Sequence, residues 1–484
     1  MKLTHQFAPL STIGADWLII TVWEKDALAG NVAELDASLG GIIGRLREQG
    51  DIAGKARELT PIYQPAGIAA KRLLVVGLGQ RDKADYASLL AASAAAARML
   101  SAKSWPRIAV ALPDEPMALR ACAAGLFQGS SSAGIRKNKN ERTPPDEVCF
   151  IADGIDADEL RRADVEGRAT NLARELVNTP PCDLYPETFA ERARECAIKS
   201  GLDIQIFDEQ QLVVERMNSL LAVARGSDRP PRLVALRHRL GGDKPTLALV
   251  GKGVTFDSGG LSLKTNEGML DMKCDMAGAA AVLGAMQAIA ELQLSVNVLG
   301  IMALVENMPS GKAMKLGDVL KARNGKTIEV QNTDAEGRLI LADALAYAVD
   351  MKSAHIVDLA TLTGACMVAL GSEVAGLMSN DEAWSGKVLA AAKAAGEKAW
   401  PLPMMPHFGD MIKSKVADMR NTGGSRYGGA ITAAKLLEEF VGTTPWAHLD
   451  IAGPAWADHD DATRDAGGTG CFVRTLVELA RSYA

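Results

Sequence analysis

Short apolar runs alternate with stretches of helical periodicity along the front of the chain. RLLVVGLG (72–79) predicts a buried strand, the alanine-rich DYASLLAASAAAARML (85–100) predicts a helix, and RIAVALP (107–113) predicts another strand. One more apolar strand follows the proline-bearing break RTPPDEV (142–148). Strands that alternate with helices in this order indicate a mainly parallel sheet covered by helices.

A polar helix connects this region to the rest of the chain. The segment 157–178 is predicted to be helical and to end at NTPP (178–181), because proline cannot continue a helix. A chain of 484 residues is too long for one ordinary core. We therefore predict an α/β protein of two domains. Residues 1–160 are predicted to form a smaller N-terminal α/β domain, and residues 161–484 a larger C-terminal α/β/α domain with a central mixed sheet.

The same alternation continues in the second half. LVALRH, TLALVGKGVTF, SVNVLGIMALV (295–305) and AHIVDLATLTG (354–364) predict strands, whereas GAAAVLGAMQAIAEL (278–292) and RLILADALAYAVD (338–350) predict helices. In sheets of this kind, ligands bind beyond the carboxyl ends of the strands. Polar residues at those ends are therefore the candidates for function.

Composition points to a cytoplasmic, soluble, globular protein. The apolar fraction is 48% and the charged fraction is 23%, and no apolar run approaches the length of a membrane-spanning helix. The N-terminus lacks the pattern of a secretory signal. Seven scattered cysteines, never spaced as CxxC, favour a reducing compartment over a disulfide framework or a thiolate zinc site.

Charge is unevenly distributed along the chain. The net charge is −6, with a slightly basic front part and an acidic remainder. The acidic excess suits a cation-binding site, although surface solubility explains it equally well. The basic cluster RKNKNER (136–142) is typical of a solvated loop, and contact with nucleic acid stays open as the alternative.

Three segments that follow apolar strands concentrate acids and cations. They are VGKGVTFDSGGLSLK (250–264) with Lys252, Asp257 and Lys264, MKCDMAGAA (272–280) with Asp275, and QNTDAEGRLIL (331–341) with Asp334, Glu336 and Arg338. Four carboxylates that converge at one sheet edge would repel one another unless cations hold them. Two divalent ions would supply the compensating charge.

Each of these residues also has an ordinary structural explanation. Asp275 and Asp334 stand where helix caps stand, and Glu336 would favour a first helical turn. Asp257 could belong to a turn. The two lysines would usually lie on the surface, and Arg338 inside a helix would usually be solvated. If there is no metal site, every one of these structural explanations must be true at the same time. That is a strained requirement, because the three segments share the same architecture.

NTDAEGRL (332–339) resembles the signature octapeptide of the cytosolic leucyl aminopeptidase family, a family of dinuclear metallopeptidases. Further segments fall in the family's order: NTPPCDLYPE (178–187), GKGVTFDSGG (251–260), MKCDMAGAA (272–280), ATLTGA (360–365), GGAITAAKLLEEF (428–440), WAHLDIAGPAW (446–456) and GTGCFVRTLVEL (468–479). The resemblance covers residues 160–484 and implies that residues 161–484 are the catalytic dinuclear metallopeptidase domain. The front 160 residues resemble the family's variable N-terminal domain only loosely.

The resemblance implies two divalent ions per subunit. One ion would be bound by Asp257, Asp334 and Glu336, and the other by Lys252, Asp257, Asp275 and Glu336. Oxygen ligands without histidine suit Mn²⁺, Mg²⁺ or Zn²⁺, and the sequence does not choose among them. A lysine that binds a metal must be unprotonated, so we expect Lys252 to be a ligand rather than an ion-pair partner.

The resemblance also implies the remaining roles. Lys264 would stabilise the oxyanion, and Arg338 would hold a bicarbonate ion that relays the proton from the attacking water. Substrate contacts would come from Met272, Asn332, Ala335, Thr361 and Gly364. The implied substrates are peptides with a free amino terminus and a first residue such as Leu or Met. A homohexamer is implied as well.

Two other functions remain open at this point. Some bacterial members of the family also bind DNA, so a DNA-binding regulatory role is one alternative, to be tested by salt-dependent gel retardation. The ligand set alone would also permit a two-metal phosphoesterase. Phosphatase activity without peptidase activity would decide for the phosphoesterase.

Overall fold

The computed structural model describes residues 1–483, which fold into two compact units. The first comprises residues 1–171 together with 459–466, and the second comprises residues 172–458 and the chain from Gly467 onward. The division falls inside the helix Ala157–Asn178. The domain boundary near residue 160 stays a prediction.

The first unit is an α/β unit with a six-stranded sheet in the order β1-β6-β5-β2-β4-β3. Only β3 runs antiparallel to its neighbour β4; the other neighbouring strands are parallel. The strands are β1 Lys2–Gln6, β2 Trp17–Val22, β3 Leu59–Tyr63, β4 Arg72–Gly77, β5 Arg107–Ala111 and β6 Glu147–Ile151. The helices are α1 Gly30–Ser38, α2 Ile42–Gln49, α3 Tyr86–Leu100 and α4 Ala118–Gly129, together with the part of α5 Ala157–Asn178 that precedes residue 172.

Both faces of this sheet are buried. Trp17 and Ile19 of β2 belong to one apolar cluster, whereas Leu18 and Ile20 belong to another. Successive strand residues point to opposite faces, so an uninterrupted apolar run supplies a core on each side. The predicted parallel sheet with helices on it is confirmed, apart from the antiparallel edge strand β3.

The second unit is larger. Its strands are β7 Asp203–Phe207, β8 Arg232–Arg239, β9 Thr246–Asp257, β10 Asn297–Asn307, β11 Val319–Lys321, β12 Thr327–Glu329, β13 His355–Ala360, β14 Ala375–Ser379, β15 Ala399–Pro401, β16 Met419–Arg420, β17 Trp446–Asp450, β18 Trp456–Ala457 and β19 Gly467–Gly468. Its helices are α6 Pro186–Ser200, α7 Glu209–Val214, α8 Asn218–Ala224, α9 Asn266–Met269, α10 Ala277–Glu291, α11 Gly337–Asp350, α12 Gly364–Leu370, α13 Glu382–Ala394, α14 His407–Asp410, α15 Gly429–Glu438 and α16 Val473–Tyr483. Short 3-10 turns occur at Leu10–Thr12 and Arg81–Lys83 in the first unit and at Met272–Met276 in the second.

The central sheet of the second unit is mixed, as predicted, with the order β15-β14-β17-β13-β9-β10-β8-β7. Its middle strands β17, β13, β9 and β10 are parallel, whereas β14, β8 and β7 pair antiparallel. β9 and β10 align so that Asn307 lies opposite Asp257. The parallel strands thus deliver several polar residues to one edge.

Helices α10 and α11 cover opposite faces of this sheet. A Cβ on Gly251 of β9 would lie 2.6 Å from the backbone of Ala279 in α10. The next residue of β9, Lys252, points instead toward Gly337 at the start of α11. Neighbouring strand residues face opposite sides, so the two helices sandwich β9. This is the α/β/α arrangement predicted from the sequence.

Among the described residues, no helix is both long enough and apolar enough to cross a membrane.

Candidate metal centre

Lys252 and the four acids lie on three backbone segments of the second unit. Lys252 lies inside β9, and Asp257 is its last residue. Asp275 lies in the 3-10 turn Met272–Met276 that precedes α10. Asp334 and Glu336 occupy the turn before α11. Two positions differ from the expectation that these residues follow strands. Lys252 lies inside β9, which continues for five residues beyond it, and Asp275 follows the short helix α9.

The helix-cap explanations do not hold. The residue that precedes α10 is Met276, and the residue that precedes α11 is Glu336, and neither makes a side-chain capping bond. The Asp275 carboxylate instead accepts hydrogen bonds from Lys252 Nζ at 2.8 Å and Thr361 Oγ1 at 2.8 Å. Asp334 forms an ion pair with Lys264. Both acids are therefore directed into a cluster and leave the helix ends uncapped.

The side chains converge. Carboxylate oxygens of Asp257, Asp334 and Glu336 lie within 4.8 Å of one another. Lys252 Nζ lies 2.8 Å from Asp275 Oδ1 and 2.9 Å from Glu336 Oε1. Lys264 Nζ lies 2.9 Å from Asp257 Oδ2 and also pairs with Asp334. The four acids and two lysines thus form one continuous charge cluster.

Burial sets the electrostatics of this cluster. Burial raises the pKa of Asp275 and of Glu336, and the neighbouring carboxylates raise it further. Burial by itself would lower the pKa of Lys252, but Asp275, Glu336 and Asp257 outweigh it and raise the pKa. Burial would likewise lower the pKa of Lys264, but Asp257 and Asp334 outweigh it and raise the pKa, which favours the charged form; its charge at the working centre stays a prediction.

The cluster fits divalent cations. Asp275 Oδ2 and Glu336 Oε2 are buried and accept no hydrogen bond from any described residue. Buried polar atoms are rarely left without a partner, and such orphaned oxygens are a sign of an ion site. Carboxylate oxygens are also the ligands that Mg²⁺ and Mn²⁺ prefer, and Zn²⁺ accepts them.

Lys252 is an ion-pair partner of Asp275 and Glu336 in this structure. This differs from the prediction of an unprotonated ligand. The physical reason is that two carboxylates at ion-pair distance stabilise the ammonium form. Only stronger positive charges beside the same carboxylates would release its proton, so the ligand role of Lys252 stays a prediction that applies to a metal-loaded centre.

Neighbouring polar groups fix the acids in place. Asp257 Oδ1 accepts hydrogen bonds from Gly259 N at 2.9 Å and from Asn307 Nδ2 at 2.8 Å. The buried Asn421 holds the turn that carries Asp334 and Glu336. Its Oδ1 accepts from Gln331 N at 2.8 Å, and its Nδ2 donates to Asn332 O at 2.6 Å. Such contacts orient ligands before anything binds.

Arg338 is buried, contrary to the expectation that a helical arginine is solvated. It is 8% exposed, and its Nη1 donates to Asn421 O at 2.8 Å. Burial lowers the pKa of this guanidinium to about 10, against the carboxylates Glu336 and Asp450, which raise it. Its Nε is buried and has no hydrogen-bond partner among the described residues. Arg338 therefore retains donor capacity for a bound anion.

All twelve residues predicted for the site line one cleft of ≈ 530 Å³. They include the five predicted substrate contacts, which are Met272, Asn332, Ala335, Thr361 and Gly364. Thr361 additionally accepts a hydrogen bond from Lys252 Nζ at 2.9 Å through its carbonyl oxygen. The cleft thus joins a polar, charged floor to small and apolar side chains.

Sequence analysis missed Asp450, the last residue of β17. It is fully buried, and its Oδ1 accepts hydrogen bonds from Leu362 N at 3.2 Å and Thr363 N at 3.4 Å. Its Oδ2 accepts from Thr363 Oγ1 at 2.6 Å. Asp450 therefore holds the backbone between Thr361 and Gly364. The signal was available, because HLDIAGP ends an apolar strand with an acid, as GKGVTFDSGG does at Asp257.

Comparison with known proteins agrees with this geometry. Residues 171–477 match the model of the cytosol aminopeptidase family, catalytic domain, and residues 19–139 match that of its N-terminal domain. A protein named probable cytosol aminopeptidase from Rhodopirellula baltica is 47% identical over 92% of this chain and 88% of its own length.

Two solved structures share the fold over nearly the whole chain. A mutant of tomato leucine aminopeptidase matches with a TM-score of 0.89 and 36% identity, covering 100% of this chain and 96% of its own. The bottromycin maturation enzyme BotP in complex with Mn matches with a TM-score of 0.85 and 36% identity, covering 97% of this chain and 99% of its own. The two family models, the close relative and the shared fold place this chain in the cytosol aminopeptidase family, as an aminopeptidase and a hydrolase.

Proposed function

We propose that this aminopeptidase releases the first residue of peptides at a centre of two divalent ions. The observation that carries the proposal is the convergence of Asp257, Asp275, Asp334 and Glu336 with Lys252 in one cleft, with two buried carboxylate oxygens left without hydrogen-bond partners. Asp257, Asp334 and Glu336 would hold one ion. Lys252, Asp257, Asp275 and Glu336 would hold the other.

The chemistry that two bound divalent ions would supply is polarisation of the scissile carbonyl and a lower pKa of the attacking water. Mn²⁺, Zn²⁺ and Mg²⁺ all remain candidates, and a Mn complex of BotP makes Mn²⁺ the first to test. The side chains of this protein supply what the ions do not: orientation, neutralisation of the oxyanion and movement of the proton.

Lys264 is proposed to stabilise the oxyanion. The carboxylates Asp257 and Asp334 keep its ammonium charged and fix its position at the cleft. A positioned cation that is already desolvated stabilises developing negative charge without reorganising at the moment of reaction. Its side chain is 17% exposed, which leaves it accessible to a substrate carbonyl.

Arg338 is proposed to hold a bicarbonate ion that accepts the proton of the attacking water. The guanidinium is shaped for bidentate binding of a planar anion, and its buried Nε has no partner among the described residues. No histidine lines the cleft in the described part of the chain, and every carboxylate that lines it is assigned to an ion. The bicarbonate ion would therefore act as the general base that no side chain of the cleft provides.

The apolar side chains that line the cleft support a proposed preference for a first residue such as Leu or Met. Met272 and Ala335 present apolar surface, while Thr361 and Gly364 leave room beside it. A free α-amino group can approach the acidic cluster, whereas an acylated amine cannot act as a metal ligand. Equal rates on Leu, Glu and Lys anilides would contradict this preference.

Metal removal tests the central proposal. We expect dialysis against a chelator to abolish hydrolysis of Leu-p-nitroanilide, because the attacking water would lose its activation. Readdition of Mn²⁺, Zn²⁺ or Mg²⁺ should restore activity, and metal analysis of the active protein should find two ions per chain. Full activity in a protein shown to be free of metal would contradict the proposal.

The cellular location, the substrates and the assembly are proposed from the relatives of this chain. The relatives are named cytosol aminopeptidases, so a cytoplasmic location and peptide substrates are proposed for this chain. A homohexamer is proposed from the family resemblance. The DNA-binding role stays an untested prediction, and the membership of the chain in a peptidase family decides against the phosphoesterase alternative.

A further inference from the structure

A cation that the proposed chemistry does not use lies at the rim of the same cleft. Arg426 belongs to the loop between β16 and α15, and this loop lines the cleft through Thr422, Gly423, Ser425 and Arg426. Arg426 is exposed, unlike Lys252 and Arg338 deeper in the cleft. Its position at the rim places it beside the part of a substrate that extends toward solvent.

Glycines define the shape of this loop. Gly424 and Gly428 flank Arg426 and have positive φ angles of 70° and 64°. A Cβ on Gly424 would lie 2.2 Å from Arg420 Nη2, so a larger residue does not fit there without displacing that side chain. The loop therefore follows a backbone path that presents the side chain of Arg426 at the cleft.

Unlike the two lysines of the cleft, Arg426 has no carboxylate partner among the described residues. Lys252 and Lys264 each pair with two carboxylates, and the buried Arg338 donates to Asn421 O. Within the described chain, Arg426 forms no ion pair. Its guanidinium carbon lies 5.2 Å from the ring centroid of Tyr427, and its Nη2 lies 3.5 Å from the Tyr427 hydroxyl. An exposed guanidinium stacked on an aromatic ring is well placed to receive a carboxylate.

The chemistry of the substrate indicates where that carboxylate would lie. The first residue of a peptide has its carboxyl group in the bond to be cleaved, so a free carboxylate must come from the second or a later residue. We propose that Arg426 binds a carboxylate on the leaving-group side, and that short peptides with a nearby free C-terminus or an acidic residue are the favoured substrate class. This inference rests on the proposed aminopeptidase site.

The expected effect is modest because Arg426 is exposed. Ion pairs at exposed positions contribute about 0.2–1 kcal/mol, which corresponds to a change in kcat/KM of up to about fivefold. The contribution should appear mainly in KM and should weaken in high salt, since exposed charges are screened. A loop residue that acted only structurally would not produce a salt-dependent preference.

The test uses ratios of kcat/KM in the metal-loaded, full-length enzyme. One pair of substrates is Leu-Ala-Ala with a free or an amidated C-terminus, and the other is Leu-Glu-Ala-amide with Leu-Gln-Ala-amide. We expect the wild type to favour the carboxylate form in at least one pair. Arg426→Gln should lower that ratio about two- to fivefold, Arg426→Lys should retain part of it, and 0.5 M salt (roughly a 4 Å screening length) should erase the difference.

Lys312→Gln is the matched control, because Lys312 is an exposed cation that does not line the cleft. It should keep the wild-type ratios. The pair of substrates that responds identifies the source of the carboxylate, either the C-terminus or the side chain. Identical ratios in wild type and Arg426→Gln for both pairs would overturn the inference, whereas failure of the wild type to cleave any of the four peptides would overturn the proposed function instead.

Discussion

At the scale of single residues, the site is a balance between burial and charge. Lys252 is 3% exposed and Glu336 is 1% exposed, and burial disfavours the charged form of each, so each compensates the charge of the other across a short ion pair. Removal of one member leaves an uncompensated group. The acids of the cluster should therefore matter more for activity than exposed acids elsewhere.

Substitution of an acid proposed to hold both ions tests this balance. We expect Glu336→Ala and Asp257→Ala each to lower kcat/KM on Leu-p-nitroanilide by more than about a hundredfold, since each is assigned to both ions and even indirect support of a metal costs up to that factor. Thermal unfolding should shift by only a few degrees, because the surrounding core is unchanged.

Glu382→Ala provides the comparison for these variants. Glu382 is an exposed acid at the start of α13, far in sequence from the cluster, so its loss should leave activity near the wild-type value. Near-normal rates in Glu336→Ala would show that the site assignment is wrong. A chain that no longer folds without Glu336 would indicate a structural role.

At the scale of elements, helix α11 begins in direct contact with the side chain of Lys252. A Cβ on Gly337, its first residue, would lie 2.6 Å from Lys252 Cε and 2.7 Å from Lys252 Nζ. The end of a lysine side chain moves more easily than backbone does. A larger residue at the helix start should therefore displace Lys252 rather than the helix.

Gly337→Ala should separate activity from stability. We expect kcat/KM to fall by about ten- to a hundredfold, as when the support of a metal ligand is lost, while circular dichroism and thermal unfolding stay close to wild type. Partial rescue by higher metal concentration would fit a displaced ligand. Unchanged activity and unchanged metal affinity would contradict the proposed role of Lys252.

A glycine-to-alanine control exists in α13. Gly386 is exposed, and a Cβ there would meet nothing within 4 Å. Gly386→Ala should keep full activity and raise stability by about 0.5–1 kcal/mol, because alanine loses less conformational entropy than glycine in a helix.

At the scale of the whole molecule, the isolated chain leaves large apolar side chains exposed. Leu263 is 62% exposed, Leu270 is 78% exposed and Val368 is 90% exposed. Exposed apolar surface of this kind often marks an interface. These side chains lie in segments that also supply Lys264 and the cleft-lining Met367, so an assembly that covers them would change access to the site.

Sedimentation velocity tests the proposed homohexamer. We expect a species of about six times 51.1 kDa that persists on dilution, since interfaces of obligate assemblies are large and apolar. A chain that sediments at its monomer mass and hydrolyses Leu-p-nitroanilide at the full rate would contradict the hexamer. That result would not contradict the proposed metal site.

The sequence by itself determined the elements and the identity of the chemistry. Buried parallel strands and alanine-rich helices were predictable because continuous apolar runs and helical periodicity reflect burial on both faces of a sheet. The resemblance of NTDAEGRL and its companion segments selected the twelve residues that the structure brings to one cleft.

Only the tertiary structure decided which of those residues contact one another and which are buried. Lys252 contacts acids 23 and 84 positions away in the chain (275 − 252 and 336 − 252), and no local pattern encodes such pairs. No local pattern encodes the burial of Arg338 either. The same is true of the hydrogen bonds by which Asn421 and Asp450 hold the loops of the cleft, and of the position of Arg426, which forms no ion pair with any described residue. Each depends on which strand ends meet at one edge of the sheet, and sheet order arises from long-range pairing rather than from periodicity along the chain.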